Sequence, residues 1–317
     1  MAAVDALVIG AGVSGLTTAI CLAEAGSRVV VRTITAPAGT TSAVAGALWL
    51  PYLVEPRQRV ASWSRHTLAE LRVLAGDPAT GVRLVTGTVA SRTTPDQPPP
   101  WTEVVGAAGS PAGRLPAGFL TGWRFTAPLV EMPVYLRYLV DRLDRAGGRI
   151  DQRRVVSLDQ ALELARLVVN CTGYGARDLV PDPAVRPVRG QVVVVANPGI
   201  DEFFAEEPGS ATELRYVLPH RDTVVLGGTA EPDRTDLTPR PEVARRIVAR
   251  CGEVVPALAG ARVLAHRVGL RPARDQVRLE AEQRPGGRMI HNYGHGGAGV
   301  TLSWGCAREV VELVRSG

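Results

Sequence analysis

The chain has 317 residues, 45% of them hydrophobic and 21% charged, which is enough for two cores and too little for three domains. Its net charge of +5 invites a polyanion partner, but the cations are dispersed, with no basic run and no interleaved aromatics, so a nucleic-acid interface is set aside. No lysine occurs and all 36 cations are arginine, which removes Schiff-base chemistry, a P-loop lysine and a lysine general base.

Cys21, Cys171, Cys251 and Cys306 are far apart, without a Cys-x-x-Cys pair, so neither a disulfide scaffold nor a metal site is expected. The N-terminus runs almost at once into an apolar segment with no basic region or cleavage site. No membrane span is present, and a cytoplasmic location is the default expectation.

Residues 6–9 predict a buried strand, followed by Gly10-Ala11-Gly12-Val13-Ser14-Gly15, a helix through Leu16, Ala19, Ile20 and Ala23, and a second strand at 28–32. This is a βαβ unit with G-x-G-x-x-G between strand and helix, the setting in which that hexapeptide binds a dinucleotide. Gly10 permits the tight turn, Gly12 lets a pyrophosphate approach, and Gly15 lets the helix pack on the strand. The pattern breaks at the end of the second strand, where Arg32 and Thr33 stand instead of an acidic residue for the ribose. Arginine there is compatible with a 2′-phosphate, and so with NADP, or with stacking on an adenine. Thr40, Thr41 and Ser42, running on to Gly46, Ala47 and Leu48, form a small-residue turn suited to a phosphate or a ring edge.

A helix is predicted around 63–74, then short strands punctuated by Pro and Gly to about 118, then an amphipathic helix over 132–146. Residues 165–170 read as a parallel strand whose carboxyl end, Asn170-Cys171-Thr172-Gly173, meets the ligand. Strands at 192–196, 216–219 and 223–229 read as antiparallel, and a helix at 241–251 and a strand at 262–270 follow. The result is an α/β fold of two interleaved parts. Residues 1–55, 130–185 and 265–317 form a Rossmann-like dinucleotide-binding domain; residues 56–129 and 186–264 form an α+β domain built on a mostly antiparallel sheet.

The last segment, 291–305, places glycines at 294, 296, 297 and 299. Glycine fills no core, so something approaches this backbone closely. The run empties into a helix whose positions 307, 310, 311 and 314 share an apolar face, and a helix N-terminus of this kind receives a polar or anionic group.

In order and spacing, several of these features resemble the D-amino acid oxidase family of flavoenzymes over almost the whole chain. They are the N-terminal unit, Asn170-Cys171-Thr172-Gly173, Arg189-Gly190-Gln191, Gly269-Leu270-Arg271-Pro272-Ala273-Arg274 with Val277-Arg278-Leu279-Glu280, and the glycine-rich stretch. The resemblance implies noncovalent FAD in the first domain and substrate binding in the second. It implies hydride transfer from the Cα of a D-amino acid to flavin N5, with oxygen as acceptor and a 2-oxo acid, ammonia and peroxide as products.

Arg271 and Tyr216 would hold the substrate carboxylate, an arginine fork fixing orientation as well as charge, and the Gly297 carbonyl would accept from the amine. Gly296, Gly299, Val300 and Thr301 would face the flavin, with Thr301 as side-chain donor. Thr40, Thr41 and Ser42 would meet the phosphates, Val155 the adenine end, and Thr172 and Gly173 the cofactor at the strand end. Hydride transfer needs no protein acid or base, so His291 and His295 are not assigned one.

Many members carry a second tyrosine on a mobile lid where this chain has Thr212, and the segment 206–213 looks short. Glu206 and Glu207 argue against acidic substrates, and Leu50 and Ala298 stand where they would set pocket size, so a neutral, apolar D-amino acid is expected. The alternatives are a glycine or sarcosine-type amine oxidase of the same fold and an NADP-dependent dehydrogenase. The partners expected are the small-molecule substrate and oxygen, without nucleic acid or membrane; a homodimer is compatible with the sequence.

Overall fold

A computed structural model describes residues 4–51, 54–95, 97–110, 115–207 and 213–316. Its first half contains β1 (Ala6–Ile9), α1 (Val13–Glu24), β2 (Val29–Arg32), α2 (Arg57–Leu74), β3 (Val82–Ser91), α3 (Trp101–Val105) and β4 (Ala108–Gly109). There follow β5 (Thr121–Val130), α4 (Met132–Arg145), β6 (Arg149–Asp151), α5 (Leu158–Leu164), β7 (Leu167–Asn170), α6 (Ala176–Leu179) and β8 (Arg186–Ala196). The chain closes with β9 (Phe203–Glu206), β10 (Glu213–Pro219), β11 (Thr223–Thr229), β12 (Glu231–Pro232), α7 (Pro241–Val254), β13 (Val263–Arg284), β14 (Gly287–His295) and α8 (Gly299–Arg315).

The strands join edge to edge in the order β4-β5-β3-β9-β10-β11-β8-β13-β14-β7-β1-β2-β6, with β12 attached to β8. From β14 to β6 every pairing is parallel. Such strands are covered on both faces, and alternation along β1 shows how. Ala6 and Val8 face the cluster of α1, α4 and α8, while Leu7 and Ile9 face α5 through Leu158, Ala161 and Leu162. The β8, β10 and β11 strands are antiparallel and also buried on both sides. Val193, Val195, Val217 and Leu226 pack on Val243 and Ile247 of α7, and Val192, Val194 and Val225 face an aromatic cluster of Trp101, Trp123, Phe125 and Phe203.

The strand β13 belongs to both regions. Its first part pairs with β8 as far as Ala273, which also pairs with His295 of β14, and after an irregularity the pairing with β14 resumes at Arg278. The strand predicted to end at 270 therefore continues to Arg284, because the glycine-rich segment supplies it with a second partner. The helix α2 also departs from the expected division at residues 56–129. Its Leu68, Leu71 and Leu74 share a core with α1 and α4, and a Cβ at Gly305 would collide with the Trp63 backbone, so α2 lies directly on α8.

Candidate active site

The carboxyl ends of β1, β2 and β7 and the N-termini of α1 and α8 open into one cavity of about 540 Å³. The β1–α1 turn contributes Gly10, Ala11, Gly12, Val13 and Ser14, and the segment after β2 contributes Arg32, Thr33, Thr40, Thr41, Ser42, Gly46, Ala47 and Leu48. Val155, Thr172 and Gly173 line it too, as do Tyr216, Arg271, Gly296, Gly297, Gly299, Val300 and Thr301. Gly15 does not. A Cβ there would collide with the Gly10 carbonyl, so Gly15 brings helix and strand together rather than touching a ligand.

At the start of α1, Gly12 holds the N-cap position without a side-chain cap. The Val13 N–H donates to Ser42 Oγ at 3.0 Å, and Gly12, Val13 and Ser14 line the cavity at the positive end of the helix dipole. The charge of Arg32 does not stand alone: Asp151, its register partner on β6, lies 3.5 Å from Nε, and Arg153 lies 3.4 Å from the same carboxylate. The acid that answers Arg32 thus comes from the adjacent strand, and it does not itself line the cavity.

Across the cavity, Arg271 and the glycine loop meet because the Gly296 N–H donates to the Pro272 carbonyl at 2.9 Å. Arg271 Nη1 donates to the Thr229 carbonyl at 2.9 Å, and among the described residues no carboxylate comes within salt-bridge distance of it. Tyr216 crosses towards it from β10. The Thr301 hydroxyl is committed to Leu50, accepting from its N–H at 3.2 Å and donating to its carbonyl at 3.3 Å. What Thr301 offers the cavity is therefore backbone rather than the side-chain donor expected. Ala298 packs with Trp63, Val277 and Leu302 and does not line the cavity, so it does not set pocket size; Leu50 does line it.

His295 is buried, with Nε2 3.1 Å from Asn292 Oδ1, and burial pushes its pKa down to about 4. That leaves a neutral, hydrogen-bonded imidazole. His291 is enclosed between Asn170 at 3.5 Å and Glu282 at 3.2 Å, away from the cavity. Burial pushes the Cys171 thiol up to about 12. His295 is thus a weak base, His291 lies away from the cavity, and the Cys171 thiol stays protonated near neutrality. Arg215 points away from Tyr216, as strand alternation requires, and meets Glu206 at 3.5 Å and Glu253 at 3.1 Å. Glu206 lines the cavity with its charge already shared by Arg92 at 2.7 Å. Thr212 and residues 208–211 of the short segment lie outside the described residues.

Sequence reasoning missed Tyr174 and Gly175, which simply continue the turn after Thr172-Gly173, and Leu237, which carries no local signal. Leu237 is delivered by the buried Arg189, which donates to the flanking Asp236 and Thr238 carbonyls at 2.8 and 2.6 Å.

Residues 5–313 match the family described as FAD dependent oxidoreductase. The chain belongs to that family. Two curated D-amino-acid oxidases are similar along their whole length. That of Rubrobacter xylanophilus is 50% identical, with 97% of this chain and 95% of that protein covered. That of Streptomyces coelicolor is 49% identical, with 98% and 96% covered. Human D-aspartate oxidase is 36% identical, covering 97% of this chain and 93% of its own. Among solved structures, glycine oxidase from Geobacillus kaustophilus superposes with a TM-score of 0.80 at 20% identity, over 99% of this chain and 95% of that one, and shares the fold.

FAD, the cofactor of this FAD-dependent family, suits the donor set. Two helix N-termini whose N-cap residues make no side-chain cap bond, those of α1 and α8, open into one cavity through Gly12–Ser14 and Gly299–Thr301. The first suits a pyrophosphate and the second a polar ring edge. Gly10, at φ +109°, makes a turn that side-chain-bearing residues rarely adopt.

The same burial gives this FAD-dependent oxidoreductase a pH dependence. Burial lowers the pKa of His220 and His295 from 6.5 to about 4, with Arg83 and Arg267 adding to the effect at His220. Below pH 6.5 the unfolded chain takes up protons that the folded chain refuses until about 4, so stability present above pH 6.5 is lost as pH falls through that window. The thermal midpoint of the holoenzyme is expected to drop between pH 7 and pH 5, with a shallower slope in His220→Asn. A flat profile in the wild type would contradict this.

Proposed function

We infer that the chain is an FAD-dependent D-amino-acid oxidase that converts neutral, apolar D-amino acids to imino acids and releases hydrogen peroxide. The observation that carries the reading is Arg271, a guanidinium facing the cavity with no carboxylate partner among the described residues, beside Tyr216 and the glycine loop. Close similarity to two D-amino-acid oxidases supports it.

When bound, FAD supplies the acceptor for two electrons from the substrate Cα and passes them to oxygen. The chain's own residues bind and orient. The Arg271 fork takes the carboxylate through two parallel N–H bonds, the Tyr216 hydroxyl donates to the same group, and the Gly297 carbonyl accepts from the neutral amine. Three fixed points define which Cα substituent faces the cofactor, and that is the basis of stereospecificity. The neutral His295 needs no proton to move, in keeping with a reaction that draws on no protein base. The N-terminus of α8 stabilises negative charge at its end of the cavity.

The substrate class follows from charge. Among the described residues the arginines lining the cavity are Arg32, Arg153 and Arg271; Arg32 and Arg153 share Asp151, and the lining Glu206 is paired with Arg92 and Arg215 from outside it, which leaves the Arg271 fork for a single carboxylate. Leu48, Leu50, Val192, Leu214 and Leu218 present apolar walls. The pairing of Arg32 with Asp151 also weighs against an NADP 2′-phosphate site. Four unbridged thiols suit a reducing cytoplasm, and no helix among the described residues is long and apolar enough to cross a membrane.

A peroxide assay over a substrate panel tests the reading. D-alanine, D-valine and D-leucine are expected to turn over, with kcat/KM for glycine and D-aspartate lower by roughly 100-fold or more, because each leaves apolar wall unfilled or a second charge unpaired. Preference for glycine or D-aspartate would overturn it.

A further inference from the structure

We propose that Gly190 is a positioning residue for the substrate carboxylate: its missing side chain is the space in which the Arg271 guanidinium lies. The proposal rests on the reading of Arg271 as the carboxylate clamp and adds a residue to which no role has been given.

The adjacent strands here run β10-β11-β8-β13. Arg271 on β13 stands opposite Val188 on β8, and Gly190 is two residues along β8, on the same face of the sheet. The Arg271 side chain does not rise from the sheet. It lies diagonally over Gly190 and reaches past β8 to the Thr229 carbonyl on β11, 2.9 Å from Nη1. A Cβ on Gly190 would sit 2.6 Å from both Cζ and Nη2 of Arg271 and would overlap Nη1. From the other side, Tyr216 on β10 lies over its register partner Gly227 on β11, and its hydroxyl comes within 3.2 Å of where a Gly228 Cβ would stand. Two hydrogen-bonding heads are thus laid over glycines, one from each side, Arg271 over Gly190 and Tyr216 over Gly227, with the Val192 side chain beside them.

Backbone conformation does not call for these glycines. Neither Gly190 nor Gly227 has a positive φ, and Gly190 pairs regularly with Gly269 inside a buried strand, a setting where glycine weakens the strand. The reason for glycine at 190 is the space above it. The obstruction differs in kind from that at Gly15 or Gly305, where an added Cβ meets backbone. At Gly190 the three nearest atoms all belong to the guanidinium end of the Arg271 side chain. Alanine there should therefore fold and instead lift the guanidinium by on the order of 1 Å, a misplacement that costs about 10²-fold in an oriented reaction.

The test uses the holoenzyme and propionate, which is D-alanine without its amine and so binds through the carboxylate without reacting. Its Kd is read from the visible flavin spectrum, alongside KM for D-alanine, in wild type, Gly190→Ala, Arg271→Ala and the double variant. Gly190→Ala is expected to keep its flavin and its thermal midpoint within a few degrees. Its propionate Kd and D-alanine KM should rise by about 10- to 100-fold, with little further loss when the change is added to Arg271→Ala. Gly227→Ala, acting on Tyr216, should raise the same two constants by a smaller factor.

Propionate binding within about threefold of wild type in Gly190→Ala would overturn the proposal. So would loss of flavin or folding in that variant, or an equal penalty on the Arg271→Ala background, since either means that the residue acts on the fold rather than through Arg271. If Arg271→Ala itself binds propionate normally, the clamp reading fails and the proposal fails with it, which separates that case from a failure at Gly190 alone.

Discussion

Arg271→Ala is expected to lower kcat/KM for D-alanine by about 10³-fold while the protein stays yellow with a full complement of FAD. In the native cavity the guanidinium has one neutral partner, the Thr229 carbonyl at 2.9 Å, so its charge is available to a ligand. Removing one member of a desolvated, hydrogen-bonded charge pair costs about 2–5 kcal/mol, and about 4 kcal/mol corresponds to the expected factor. Most of the loss should appear in KM, because the carboxylate is bound before and during the reaction alike. Arg271→Lys should recover only part of it, since an ammonium is a point charge without the fork that fixes orientation. Steady-state kinetics with flavin quantitation checks this, and unchanged kinetics would remove Arg271 from the site.

The second large effect is at Gly15. Gly15→Ala places a Cβ against the Gly10 carbonyl, where both atoms belong to backbone and neither can rotate away. Helix α1 must lift from β1, at a cost of about 1–3 kcal/mol by overpacking, and the turn that carries Gly10 to Ser14 loses its shape. The purified variant should be largely colourless and melt several degrees lower. Gly12→Ala is the contrast. Its nearest new contact is Ser42 Oγ at 3.1 Å, so the apo-protein should melt like wild type while FAD binding weakens by about tenfold or more. Flavin content after gel filtration and the melting midpoint together distinguish the two. Equal behaviour of the two variants would contradict separate roles for these glycines.

The parts of this arrangement that are local in sequence were legible there. The β1–α1–β2 unit could be read because strand, glycine turn and helix are consecutive, and the glycine run that leads into α8 because a stretch without side chains cannot form a core. Other parts depend on register, which the sequence does not display. Asp151 answers Arg32 only because β6 lies beside β2. The length of β13 depends on its pairing with β14. Thr301 lies in α8 and Ala298 at its N-cap, but packing against other segments decides that the first spends its hydroxyl on Leu50 and the second packs with Trp63. The helix α2 falls within the first segment of the substrate part in sequence, yet Gly305 lets it lie against α8. Gly190 was visible as part of Arg189-Gly190-Gln191, but its purpose appears only when an arginine from the next strand is seen lying over it.

The central claim is that this cavity holds an amino acid by its carboxylate and amine so that only the D-form presents its Cα hydrogen to FAD. Anaerobic mixing of the holoenzyme with D-valine or L-valine tests this most directly, because flavin bleaching reports electron transfer without relying on oxygen or product detection. Rapid and complete bleaching is expected with D-valine and none with L-valine. Bleaching by the L-form, or a flavin that stays oxidised with D-valine, D-alanine and D-leucine alike, would contradict it.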